Sequence, residues 1–136
     1  MKYALDTNTI IHLLRDNPIV SQKFDAAVER NNEIVIPPLV HYEIRRGFLC
    51  YSAPGRENSY RVLIEQCPVG DISTEVLERG ADIYAALYRA RLTVDDADLL
   101  TAAFCLVGGY TIVTNNTRHF EVIDGLNAED WTTQSE

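Results

Sequence analysis

A chain of 136 residues, 46% hydrophobic and 24% charged, has the composition of one soluble globular domain with enough apolar residue to bury a core. No apolar run approaches the ~20 residues of a membrane span, and the N-terminal run is too short, with no small-residue cleavage pattern, for a secretory signal. The net charge of -8 argues against nucleic-acid binding by bulk phosphate neutralisation, so such a role needs metal ions or a local arginine patch.

Of the twelve basic residues only Lys2 and Lys23 are lysines; the arginines include Arg45, Arg46, Arg89, Arg91 and Arg118. Cys50, Cys67 and Cys105 are odd in number and widely spaced, which points to reduced thiols in a cytoplasm and away from zinc. In chain order, KYAL at 2–5 reads as a strand. Ile10, Ile11, Leu13 and Leu14 then begin a helix, and Pro18 restarts a second through Phe24, Ala27 and Val28. EIVI at 33–36 is the next strand. Pro37–Pro38 opens a helix with the stripe Leu39, Val40, Ile44, Phe48. Pro54–Gly55 breaks the chain before a helix around 61–66. The stretch 74–92 carries Val76, Leu77, Ala81, Tyr84, Leu87 and Tyr88 on one side, expected to pack in the core. A helix over 95–107 stops at Gly108–Gly109, and YTIVT at 110–114 is a third strand. The whole predicts an α/β protein, one domain over 1–132 with a loose tail at 133–136. Alternating strands and helices imply a parallel sheet covered on both faces, and chemistry in such folds collects at the carboxyl ends of the strands.

Polar residues interrupt the apolar pattern at four places. Asp6, with Thr7 and Asn8, follows the first strand; helix capping alone could account for it. Glu43 lies inside the stripe of the 38–50 helix, where a carboxylate needs compensation. A buried ion pair is the ordinary explanation, but Arg45 and Arg46 project from other sides of that helix and make poor partners. Asp98 sits in a first turn, where it could simply complement the helix dipole or form a capping box with Asp95. Thr114, Asn115 and Asn116 follow the third strand, again good capping residues. These positions share one level, the carboxyl edge of the sheet. Three carboxylates and an amide converging there need a cation, and hard oxygen ligands suit Mg²⁺ or Mn²⁺. Such a site suits phosphoryl chemistry with metal-activated water.

Together LDTNTIIHLL, the helix with Glu43 before Arg45–Arg46–Gly47, DADLLTAA, and IVTNNTRHFEVIDGL with the closing EDW resemble the PIN-domain family. Within it they resemble the VapC-type toxin ribonucleases of bacterial toxin–antitoxin pairs. The resemblance implies a three-layer α/β/α sandwich and an endoribonuclease using Mg²⁺ or Mn²⁺. It places the family's acidic quartet on Asp6, Glu43, Asp98 and the position of Asn116, where many relatives carry aspartate. His119 stands where many relatives have an acidic residue; it could touch substrate or a metal-bound water, and otherwise reads as a surface histidine. Asp6 and Asp98 are the expected principal ligands, with Glu43 a ligand or the base that orients water. Thr7 and Asn116 are expected as polar supports, and Arg45, Arg46 and Arg118 as holds on the RNA backbone. A small antitoxin bound across 50–92, where Tyr51, Tyr60, Tyr84 and Tyr88 are of a kind enriched at interfaces, and a homodimer complete the expected partners. The rivals are a phosphoaspartyl phosphatase, a receiver domain, or a non-catalytic binding module of the same fold. The first two imply a lysine after a later strand, and no lysine lies beyond Lys23.

Overall fold

The computed structural model describes residues 1–133. Its elements in chain order are β1 (Lys2–Leu5), α1 (Thr7–Leu14), α2 (Pro18–Glu29), β2 (Glu33–Val35), α3 (Pro38–Cys50) and α4 (Pro54–Gln66). There follow α5 (Thr74–Arg89), α6 (Asp96–Gly108), β3 (Thr111–Val113), α7 (Thr117–Phe120) and β4 (Ala128–Glu129). The strands form one parallel sheet in the order β2-β1-β3-β4, with Ala4 opposite Val35 on one side and Ile112 on the other.

Side chains alternate across each strand, and here both faces are buried. Tyr3, Leu5, Ile34 and Val113 join Ile10, Phe24, Val40, Ile44 and Tyr60 of α1–α4 in one core. Ala4, Val35 and Ile112 join Val76, Ala102, Phe104 and Phe120 of α5–α7 in the other. The result is the expected three-layer α/β/α sandwich. Because β2 and β3 flank β1 on opposite sides, the connections out of β1 and β3 diverge. A crevice therefore opens at the carboxyl ends of those strands.

Three local features differ from the sequence reading. β4 is a two-residue strand, with too little apolar alternation to register as one. Pro54 does not break the chain before a later helix; it is the first residue of α4, where its missing N–H costs nothing. On α5 only Val76, Gly80 and Leu87 are buried, while Leu77, Tyr84 and Tyr88 are more than half exposed or close to it. The close packing of α5 on α6 runs through Gly80, beside Leu99 and Leu100. This turns the Leu77–Tyr84–Tyr88 side outward, contrary to the expectation that it is core. Gly109, with φ of 74°, ends α6 in the left-handed conformation that favours glycine. Residues 134–136 of the expected tail lie outside the described residues; Thr133, its first residue, donates through Oγ1 to the Asp130 carbonyl at 3.2 Å.

Candidate metal-binding active site

Asp6 extends the β1 ladder by donating its N–H to the Val113 carbonyl at 2.9 Å, then caps α1 by accepting from Thr7 N at 2.9 Å. Its other oxygen, Oδ2, accepts from the Thr114 hydroxyl at 2.8 Å and from Asn8 Nδ2 at 3.4 Å. The capping and site readings of Asp6 are therefore compatible: one oxygen serves each. Thr114 is fully buried, and its Oγ1 also accepts from Asn116 N at 3.0 Å and from Asn8 Nδ2 at 3.2 Å. Asn8 Oδ1 in turn accepts from Asn115 N at 3.1 Å. Two strand ends about a hundred residues apart in sequence are thus stitched around one carboxylate. Asn8 and Thr114 were absent from the sequence-derived site set. The signal for them was the repeated Thr–Asn pair after each strand.

Glu43 comes from the second turn of α3 and is half-buried. Thr7 Oγ1 donates to its Oε1 at 3.2 Å, which ties α1 to α3. Arg46 lies 3.8 Å from Glu43 Oε2, an i,i+3 pair, so the expectation that Arg46 points elsewhere is corrected. The long, flexible guanidinium reaches along the helix surface. Asp98 lies in the first turn of α6, also half-buried, 3.5 Å from Nδ1 of exposed His119. Asp95, not Asp98, caps α6, by accepting from Ala97 N at 3.4 Å. The alternative that Asp98 is merely a cap is thereby removed. Both readings of His119 meet here: it is exposed, and it neighbours Asp98.

Burial raises the proton affinity of all three carboxyls. For Glu43 the charges of Asp6 and Asp98 raise it further; for Asp98 those of Asp6 and Asp95 do. The charge of Asp6 thus reaches both Glu43 and Asp98. As they stand, no three His, Cys, Asp or Glu side chains among the described residues are grouped closely enough to enclose an ion. Glu43 and Asp98 are held only by contacts of 3.2 Å and longer, to Thr7, Arg46 and His119. A hard-oxygen set with mutual repulsion and loosely held members fits a divalent cation as its complement.

The remaining predicted residues are placed as follows. Asn116 precedes α7 and makes no side-chain cap bond, contrary to its reading as a cap. Arg45 pairs with Glu57 at 3.0 Å, bracing α3 to α4, which leaves it less suited to hold RNA. Arg118 is exposed and lines a cleft of about 270 Å³ with Asp98, His119 and Thr93. Of the four expected tyrosines, Tyr60 is buried against His41 and Phe48, while Tyr51, Tyr84 and Tyr88 are exposed. A larger cleft, about 660 Å³ between α2 and the β4 edge, shares none of the three carboxylates.

A family model described as PIN domain matches residues 3–126. The chain is 30% identical over 133 residues to the tRNA(fMet)-specific endonuclease VapC of Salmonella typhimurium, covering 96% of this chain and 98% of that protein. It is 26% identical to Ribonuclease VapC2 of Rickettsia felis over 96% and 98% of the two chains. Among solved structures, DNA-bound VapBC from Salmonella typhimurium superposes with a TM-score of 0.85 at 29% identity, over 96% of this chain and 98% of that one. VapBC2 from Rickettsia felis, bound to a promoter DNA fragment, gives a TM-score of 0.88 at 23% identity, over 96% and 99%.

Proposed function

The chain belongs to the PIN-domain family, and from that membership we propose that it is the toxin of a toxin–antitoxin pair, an endoribonuclease hydrolysing RNA phosphodiesters with Mg²⁺ or Mn²⁺. The observation that carries this reading is the set Asp6, Glu43 and Asp98, from β1's end, α3 and α6: burial raises the proton affinity of each, and the charge of Asp6 raises that of Glu43 and Asp98 further. Asp6 and Asp98 would hold the ion with Glu43. When bound, the ion supplies Lewis-acid stabilisation of the phosphate oxygens and lowers the pKa of water.

The chain's own residues do the rest. Asp6 is fixed by Thr7 N, Thr114 and Asn8, so its orientation costs nothing at the moment of reaction. Glu43, its proton affinity raised and oriented by the Thr7 hydroxyl, accepts a proton from the attacking water. The water oxygen bonds to phosphorus, the bond from phosphorus to the leaving ribose oxygen breaks, and that oxygen takes a proton from solvent. Arg118 and Arg46, both exposed, supply cations for the RNA backbone. The phosphoaspartyl rivals lack their lysine: Lys2 bonds the Gly108 carbonyl and Lys23 the Thr133 carbonyl.

In this reading residues 1–132 act as a single domain, and free thiols at Cys50, Cys67 and Cys105 support a cytoplasmic location. Among the described residues no helix is long and apolar enough to cross a membrane. The names of the relatives support a protein antitoxin as partner, and exposed Tyr51, Tyr84 and Tyr88 support a covered face within 50–92 and a homodimer. The test is cleavage of a structured RNA by purified protein with Mg²⁺, with Mn²⁺ and with EDTA, with the cut ends mapped. Asp6→Asn is expected to lose at least ~100-fold in rate, and EDTA to abolish cutting. Full activity in EDTA would overturn the metal assignment.

A further inference from the structure

A second cleft, about 250 Å³, lies between α1, α3 and the start of α4. Ile11, Leu14, Ile44 and Phe48 give it an apolar lining, and Thr7 and Glu43 line it as well, so it adjoins the carboxylate edge. Tyr51 lines it while remaining 79% exposed. Arg15 and Arg56 line it too, both exposed. Unlike Arg45 and Arg46, neither is in an ion pair among the described residues.

We infer that this cleft receives the unpaired nucleobase next to the scissile phosphate, stacked on Tyr51 against the apolar wall, with Arg15 and Arg56 on flanking phosphates. The inference rests on the ribonuclease reading and names how its substrate is gripped. Single-stranded nucleic acid is held by aromatic faces for bases and by cations for the backbone, and this cleft offers both. An acidic protein needs its cations placed locally, and two arginines without acidic partners stand here. The shared residues Thr7 and Glu43 set the register: a phosphate at the carboxylates leaves its neighbouring base at the mouth of the cleft. Two arginines without acidic partners among the described residues favour an occupant that carries phosphates over an apolar peptide face.

The test uses a short unstructured RNA that the wild type cuts with Mg²⁺, the cut mapped, and abasic nucleotides then placed on either side of it. One abasic position is expected to raise KM about 10-fold, the usual weight of one stacked base. Tyr51→Ala, at an exposed position that leaves the melting temperature unchanged, is expected to raise KM for intact RNA by a similar factor with kcat within about 2-fold. Combining variant and abasic RNA is expected to add nothing further. Arg15→Ala and Arg56→Ala are each expected to lower the slope of log KM against log salt by about 0.7. An unchanged KM for Tyr51→Ala, or effects that multiply, would overturn the inference. So would variants that cut RNA normally yet no longer bind the antitoxin, which would make the cleft a peptide site. A wild type that cuts no RNA with either metal would instead overturn the ribonuclease reading beneath it.

Discussion

Replacing Asp98 by asparagine is expected to make the metal-free protein more stable while destroying its activity. The gain comes from relieving the charges of Asp6 and Asp95 on a carboxyl already disfavoured by burial. Relief of a strained functional site is worth roughly 0.5–2 kcal/mol. Against it stand the lost helix-dipole interaction, about 0.3 kcal/mol at this exposure, and the contact with His119. That ring is 60% exposed, so its pairing is worth about 0.5 kcal/mol at most. The cap is not lost, because Asp95 makes it. The balance is a gain on the order of 1 kcal/mol, or about 3–4 °C in a chain of this size. The pH dependence has a definite sign. Asp98's folded-state affinity for its proton is raised, so its stabilising share is intact below the unfolded value near ~4 and is lost as pH rises through the folded one. The advantage of the variant is therefore full at neutral pH and shrinks towards zero on acidification into the carboxylate range. Saturating Mg²⁺, about 100-fold over Kd, adds about 2.7 kcal/mol to the wild type and less to the variant. Thermal melts in EDTA and in Mg²⁺ measure all of this. A wild type at least as stable as Asp98→Asn in EDTA, with equal responses to Mg²⁺, would refute the clustered-carboxylate reasoning. Asp6→Asn provides the contrast: Asp6 accepts on both oxygens, an amide offers only one acceptor, and a loss of ~1–3 kcal/mol is expected.

Thr114→Val keeps the shape of a fully buried residue but strands the Asn116 N–H and frees Asp6 Oδ2; a loss of ~1–3 kcal/mol in urea melts and a fall in kcat with KM nearly unchanged are expected, both restored by Thr114→Ser. Gly70→Ala puts a Cβ into the Phe104 ring, which is stacked on Tyr110 with centroids 5.5 Å apart; it is expected to cost ~1–3 kcal/mol by overpacking, with kcat unchanged under conditions where the variant is folded. Expression of the protein alone is expected to arrest growth, and co-expression of its antitoxin to relieve the arrest. Harmless expression with intact nuclease activity would end the toxin reading.

Much of the architecture could be read from periodicity, because the apolar runs of β1, β2 and β3 and the prolines at 18 and 38 punctuate strongly. The elements that escaped were those whose identity lies in partners distant in sequence. β4 is two residues long and exists only because Ile112 and Val113 pair with it. The outward face of α5 looked apolar enough for a core; Gly80 decides which side packs, and periodicity cannot weigh a missing side chain. At the site, carboxylates inside apolar stripes were visible as anomalies. The hydroxyl and amide groups that orient them were not, since Asn8 and Thr114 look like ordinary turn residues until β1 and β3 are seen side by side. One long side chain was misjudged in direction: Arg46 reaches Glu43, whereas Arg45 turns away from it to Glu57 on another helix.

The bond from Thr114 to Asp6 spans 108 positions, which has a consequence for timing. A ribosome delivers the first carboxylate early and its anchoring hydroxyl close to the end, roughly 5–20 s later at ordinary synthesis rates. Throughout that interval the nascent chain lacks β3, and Asp6 has neither its ladder partner Val113 nor Thr114 to hold it. A truncated or stalled product ending before residue 111 carries all three acids yet has no assembled site. Site assembly thus waits on the last third of the chain, and a product cut short before β3 is expected to be inactive.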